Sequence, residues 1–148
     1  MSTRCLTVVK SRYNNKNVTL ATIYRHYDGH PEGHGKYLRD FLRDVTLING
    51  ICSVAPKNYA NGVDHLAAKL VCKMQNDGHD PKLIEHGSAA GQEFEYHVTG
   101  RILPNPELLE IVVYSGPITL FGLGGEECTN EIFRGNLDEY SDWMDKME

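Results

Sequence analysis

The apolar positions of this chain change period along its length, and each change marks a new element. Residues 3–10 carry the strand formers Leu6, Val8 and Val9, and a turn-rich stretch follows at 11–17. Residues 18–27 predict the hairpin partner, with Val18, Leu20, Thr22 and Tyr24 on one face and Thr19, Ala21, Ile23 and Arg25 on the other. Next comes Asp28-Gly29-His30-Pro31-Glu32-Gly33-His34-Gly35, where the glycines and the proline predict a loop with no regular element. Leu38, Phe41, Leu42 and Val45 then recur at helical spacing, so a helix is expected over 36–45. Residues 48–61, with Asn49-Gly50, Pro56 and Asn58, predict irregular chain. A second helix is expected from 62 or 63 to 75. Leu66, Ala67, Leu70, Val71 and Met74 form its stripe, Asn61 its N-cap, and Gly78 lies past its end.

Residues 79–92 are a polar connector with a weak extended stretch at 82–85. Residues 93–99 alternate. Phe94, Tyr96 and Val98 face one way and Glu93, Glu95 and His97 the other, which predicts a strand with one wet face. Residues 108–114 are apolar on both faces at Ile111, Val112 and Val113, the mark of a central strand, and Pro104-Asn105-Pro106 marks the turn before it. Ser115-Gly116-Pro117 ends that strand. A short edge strand is expected at 118–121 and a glycine-rich loop at 122–127. A last helix over 137–146 has Leu137, Tyr140, Trp143, Met144 and Met147 on its apolar side and Asn136 as its cap. The order predicts an α+β fold, a mostly antiparallel sheet of four to five strands with two to three helices packed on it, with residues 1–148 forming one domain.

Composition sharpens this picture. Of 148 residues, 41% are hydrophobic and 24% charged, an ordinary globular balance. A domain of this size buries roughly 70% of the surface its unfolded chain exposes, so it needs no disulfide or metal to fold. Cys5, Cys52, Cys72 and Cys128 are scattered and form no CxxC pair, which predicts free thiols in a reducing compartment. No apolar run reaches the roughly 18 residues of a membrane span. The N-terminus lacks the apolar core of a signal peptide. A cytoplasmic protein with no membrane role is therefore expected. The net charge of −5 argues against a general nucleic-acid binder, although a local basic patch is compatible with it.

The densest polar cluster runs from Tyr24 to His34. His26, His30 and His34 recur every four residues beside Asp28 and Glu32. Imidazole and carboxylate are common metal ligands and common general acids and bases. On a helix this spacing would set the three rings side by side, but Gly29, Pro31 and Gly33 deny it that geometry. The expectation is therefore a turn, with no metal and no cofactor. Asp28-Gly29 fits a turn in which Asp accepts backbone amides and Gly supplies a positive φ. Arg25 and Arg101 suit pairing with a carboxylate or holding a phosphate. The candidate ligand-binding residues are Arg25, His26, Asp28, His30 and His34. The loops at Asn61-Gly62 and Gly122-Leu123-Gly124-Gly125 match neither a Walker nor a dinucleotide fingerprint, and Ser115-Gly116 lies in no nucleophile elbow.

Several segments in order carry a resemblance: Ser2-Thr3-Arg4-Cys5-Leu6-Thr7-Val8-Val9, Tyr24-Arg25-His26-Tyr27-Asp28-Gly29-His30-Pro31, Ile48-Asn49-Gly50-Ile51, Ala60-Asn61-Gly62, Ser115-Gly116-Pro117 and Phe133-Arg134-Gly135. Together they resemble a family of small uncharacterised bacterial and phage proteins. The resemblance implies no catalytic residues. It implies a pattern that keeps Arg25, Asp28, Gly29 and Pro31, with Gln often at the place of His26 and Tyr at that of His30. Such a pattern weakens any metal site built on those two histidines.

Two functions follow as expectations. The first is a non-enzymatic cytoplasmic accessory protein that binds a protein partner or a small ligand. The alternative is an enzyme acting on a phosphate-bearing or nucleotide-like substrate through Arg25, His26, Asp28, His30 and His34. A homo-oligomer formed through a sheet edge is compatible with both.

Overall fold

Strands β1 (Cys5–Tyr13) and β2 (Lys16–Arg25) form an antiparallel hairpin. Its turn is only Asn14-Asn15, both at positive φ (51° and 62°), and not the longer loop expected at 11–17. Asn tolerates the left-handed region, and two such residues match the twist of the flanking strands. The computed structural model describes residues 3–48, 57–85, 90–101, 109–116 and 128–147.

After β2 the chain turns through residues 26–30 into a π-helical turn (Pro31–Gly35) that runs straight into α1 (Lys36–Asp44). The expectation of a loop without regular structure is corrected here. Pro31 sits in the first helical turn, where its missing N–H costs nothing. The stretch expected to be irregular at 48–61 also yields structure. β3 (Thr46–Ile48) and β4 (Tyr59–Asn61) pair in a small parallel ladder. α2 (Val63–Asn76) follows, with Gly62 at its N-cap in place of Asn61. Asn61 instead donates its backbone N–H to His65 Nδ1 at 2.9 Å. β5 (Lys82–Leu83), β6 (Phe94–Arg101), β7 (Leu109–Ser115) and β8 (Asn130–Asn136) precede α3 (Leu137–Asp145). The Asn136 cap of α3 forms a full capping box with Glu139.

Among the described residues the main sheet has six strands in the order β5-β2-β1-β6-β7-β8, so the expected four to five strands is corrected upward. Every pairing is antiparallel except β1 with β6, which run parallel at the centre. β7 is interior, as its two apolar faces require. The helices pack on one face through Cys5, Val9, Ile23, Tyr96, Val98, Ile111 and Val113 of the sheet, met by Leu38, Leu42, Leu66, Leu70, Met74, Tyr140 and Met144. Full burial of each such aliphatic side chain stabilises the fold by about 1.5–3 kcal/mol. The opposite face of β6 is not wet as expected, because Glu95 is only 6% exposed and Thr99 is buried too. Among the described residues no helix is long and apolar enough to cross a membrane. The turn expected at 104–106, the edge strand at 118–121, the loop at 122–127 and Cys52 lie outside the described residues.

Candidate functional site

The turn after β2 is pinned from three sides. Gly29 N–H donates to Thr3 O at 2.9 Å, His34 N–H to Asp28 O at 2.7 Å, and Tyr96 Oη to Gly29 O at 2.7 Å. The roles of Asp28 and Gly29 differ from the expected turn. Asp28 itself takes the positive φ (56°). Gly29 is needed because a Cβ there would stand 2.8 Å from both Cys5 Cβ and Thr3 O. The chain end of β2 is thereby pressed against the start of β1.

This anchoring fixes Arg25. Its side chain lies on the helix-facing side of the sheet and is only 5% exposed. One nitrogen, Nη1, donates to His34 Nδ1 at 3.2 Å. Guanidinium has no acceptor, so Nδ1 must be unprotonated and His34 carries its proton on Nε2. That Nε2–H in turn donates to Thr7 Oγ1 at 2.7 Å. His34 is wholly buried. Burial, then the charge of Arg25, then His79, pull its pKa down to about 3, so it is neutral. The Tyr37 ring lies 5.4 Å from the guanidinium carbon, within cation–π range. Asp28 Oδ2 stands 4.0 Å from Nη2, beyond hydrogen-bond distance, with most of its carboxylate in solvent.

Arg25 forms part of the wall of a cleft of about 780 Å³ between the end of β2 and the connection from α2 to β5. The predicted residues divide here. Arg25, His26 and Asp28 line the cleft; His34 supports Arg25 from behind and has no place in its wall. His30 is the residue before Pro31, and its Nδ1 faces Glu32 Oε2 at 3.6 Å. The three histidines therefore do not converge. Among the described residues no group of His, Cys, Asp or Glu is arranged to hold a metal.

The opposite wall comes from residues that the sequence left inside a polar connector: His79, Asp80 and Lys82, with Gln75 and Gly78. Gly78, at φ 79°, ends α2 and swings these side chains toward the hairpin. Asp80, like Asp28, sits at positive φ (47°). Burial and the charge of Arg25 hold the His79 pKa below its usual value, although Asp77 and Asp28 oppose them. Tyr24 Oη and His26 Nδ1 are hydrogen-bonded at 2.7 Å, and the His26 ring meets Tyr27 edge-on at 4.6 Å. The available signal was the strong stop at Gly78 followed by a polar run, which marks a loop but not what it faces.

A second polar cluster lies on the other face of the sheet. Glu95 accepts Cys128 N–H at 2.6 Å and meets His97 Nε2 at 3.1 Å. Burial alone would raise the Glu95 pKa, but these bonds and Gln92 hold it below the carboxylate range. This cluster ties the start of β8 to the sheet centre. No family model matches the chain, and no curated protein or solved structure matches it.

Proposed function

We propose that the chain is a non-catalytic binding protein whose Arg25 cleft takes a small polar ligand bearing a carboxylate or a phosphate. The observation that carries this reading is the buried guanidinium, held by a neutral imidazole, an aromatic ring and a carboxylate at 4.0 Å. Buried charges are ordinarily paired, and an anion entering the cleft gives Arg25 a charge-assisted partner. Lys82 adds a second positive group on the opposite wall. Asp28 and Asp80 offer acceptors to donor groups on the ligand, and strained backbone of their kind concentrates at binding sites. Tyr27, 65% exposed, gives a ring face at the rim. This set of groups suits an α-amino acid or a nucleotide. The cleft volume falls within the range of small-molecule sites, about 300–1,000 Å³.

The test is calorimetric titration with α-amino acids and nucleoside monophosphates. One class should bind saturably, and Lys82→Ala should weaken it by about tenfold, some 1.4 kcal/mol, without lowering Tm. Saturable binding by neither class, or binding indifferent to Lys82→Ala, would contradict the proposal.

One observation favours the alternative of an enzyme acting on a phosphate-bearing or nucleotide-like substrate. His26 and His79 stand on facing walls, and His79 is biased toward its neutral, basic form. Consumption of the bound ligand by the wild-type chain, lost in the double variant His26→Ala and His79→Ala, would establish the enzyme in place of the accessory protein.

A further inference from the structure

The far end of the β1–β2 hairpin carries a cleft of different character. It encloses about 440 Å³ and is lined by Arg12, Asn14, Asn15, Asn17 and Arg101. All five side chains offer N–H donors and none is acidic. In a chain of net charge −5, that is a local reversal of sign.

The sheet register creates it. Arg12 and Arg101 are direct neighbours across the parallel pairing of β1 with β6. Like charges placed opposite one another on one face of a sheet repel and destabilise it. Arg12 is partly compensated, since its Nε donates to Asn17 Oδ1 at 2.9 Å and its Nη2 lies 3.5 Å from Glu110 Oε1. The same Glu110 oxygen also meets Arg134 at 3.2 Å, which has Glu131 as a closer partner at 2.8 Å. Arg101 is exposed at the rim. The two-residue turn brings Asn14 and Asn15 to the cleft.

We infer that this end of the hairpin is a second anion site, in which a phosphate group bridges Arg12 and Arg101 while the Asn amides donate to its remaining oxygens. Guanidinium matches phosphate through paired parallel N–H groups, which an ammonium cannot do. The phosphate has two sources of the same chemistry: a terminal phosphate on a small molecule, or the backbone of a single-stranded nucleic acid, whose phosphates follow a positively charged groove. The site lies at the opposite end of β1 from Arg25 and does not depend on the function of that cleft.

The experiment is a titration of the isotopically labelled full chain, followed by amide NMR, with inorganic phosphate, adenosine monophosphate and a short oligothymidylate, each at matched ionic strength. Saturable shifts are expected at residues 12–17 and 101, and Arg101→Ala should weaken binding about tenfold while Arg101→Lys recovers only part of it. Oligothymidylate binding at least about tenfold tighter than the monophosphate assigns the site to a strand backbone; equal or weaker binding assigns it to a terminal phosphate. Shifts no larger than those from chloride at the same ionic strength, or an affinity unchanged by Arg101→Ala, would overturn the inference. Shifts confined to residues 24–28 and 79–82 would also overturn it while leaving the Arg25 cleft standing.

Discussion

His34 shows how one buried side chain is committed to one protonation state. Its two ring nitrogens are fixed by Arg25 on one side and Thr7 on the other, and a proton on Nδ1 would face a guanidinium. The consequence for stability has a definite sign. In the unfolded chain the imidazole takes up a proton near pH 6.5, whereas in the folded chain it does so only near pH 3. Between those values the unfolded state binds more protons, so stability falls on acidification, by up to about 1.4 kcal/mol per pH unit. Urea unfolding at about pH 7.5 and about pH 5 should show this loss, and His34→Gln should be less stable at neutral pH yet show a flatter slope. A slope unchanged by the substitution would show that His34 is not the group responsible. His79 is shifted in the same direction but is far more exposed, so its share is smaller. At this scale the sequence was partly legible. Arg25 and His34 stand nine positions apart in a visibly polar cluster, but nothing local showed that His34 would be inside the core and His30 outside it. That division depends on the close approach of Gly29 to Cys5, a contact across strands.

Among the elements, the helices were the most legible because their apolar stripes persist over several turns. Leu38, Phe41 and Leu42 in α1, and Leu66, Leu70 and Met74 in α2, are all buried as the spacing required. Short exposed strands left no such trace. β8 has only Ile132 and Phe133 as large apolar residues among Glu131, Arg134 and flanking Asn, since an edge strand need bury little. Its Glu131–Arg134 ion pair at 2.8 Å places charge along that edge. The hairpin was legible but the tightness of its turn was not, because Asn14 and Asn15 sit inside a polar run that gives no boundary. Their left-handed backbone carries a prediction. Replacing both by Ala should cost about 2 kcal/mol, because a Cβ-bearing residue without a polar side chain resists this conformation. Asn15→Gly should cost nothing or stabilise slightly. Equilibrium unfolding measures both, and an Asn→Ala pair as stable as wild type would contradict the turn geometry.

Across the whole molecule, the strand order decides which residues meet. The parallel pairing of β1 with β6 joins positions some ninety residues apart, and it alone makes neighbours of Arg12 and Arg101. The antiparallel return of β5 onto β2 brings Lys82 beside Tyr24, and with it the wall that completes the Arg25 cleft. Neither pairing is encoded by local periodicity, so the chain's polar residues could be listed from sequence but not assembled. Ligand binding in the Arg25 cleft is read most directly from the side-chain Nε–H signal of Arg25, followed by NMR while a carboxylate- or phosphate-bearing ligand is added. A guanidinium buried against His34 and Tyr37 should exchange slowly enough with water to give a resolved signal. This signal is expected to shift saturably, together with the amides of residues 24–28 and 79–82. A signal that stays fixed while ligand binds elsewhere, or that no anion moves at all, would contradict binding at Arg25.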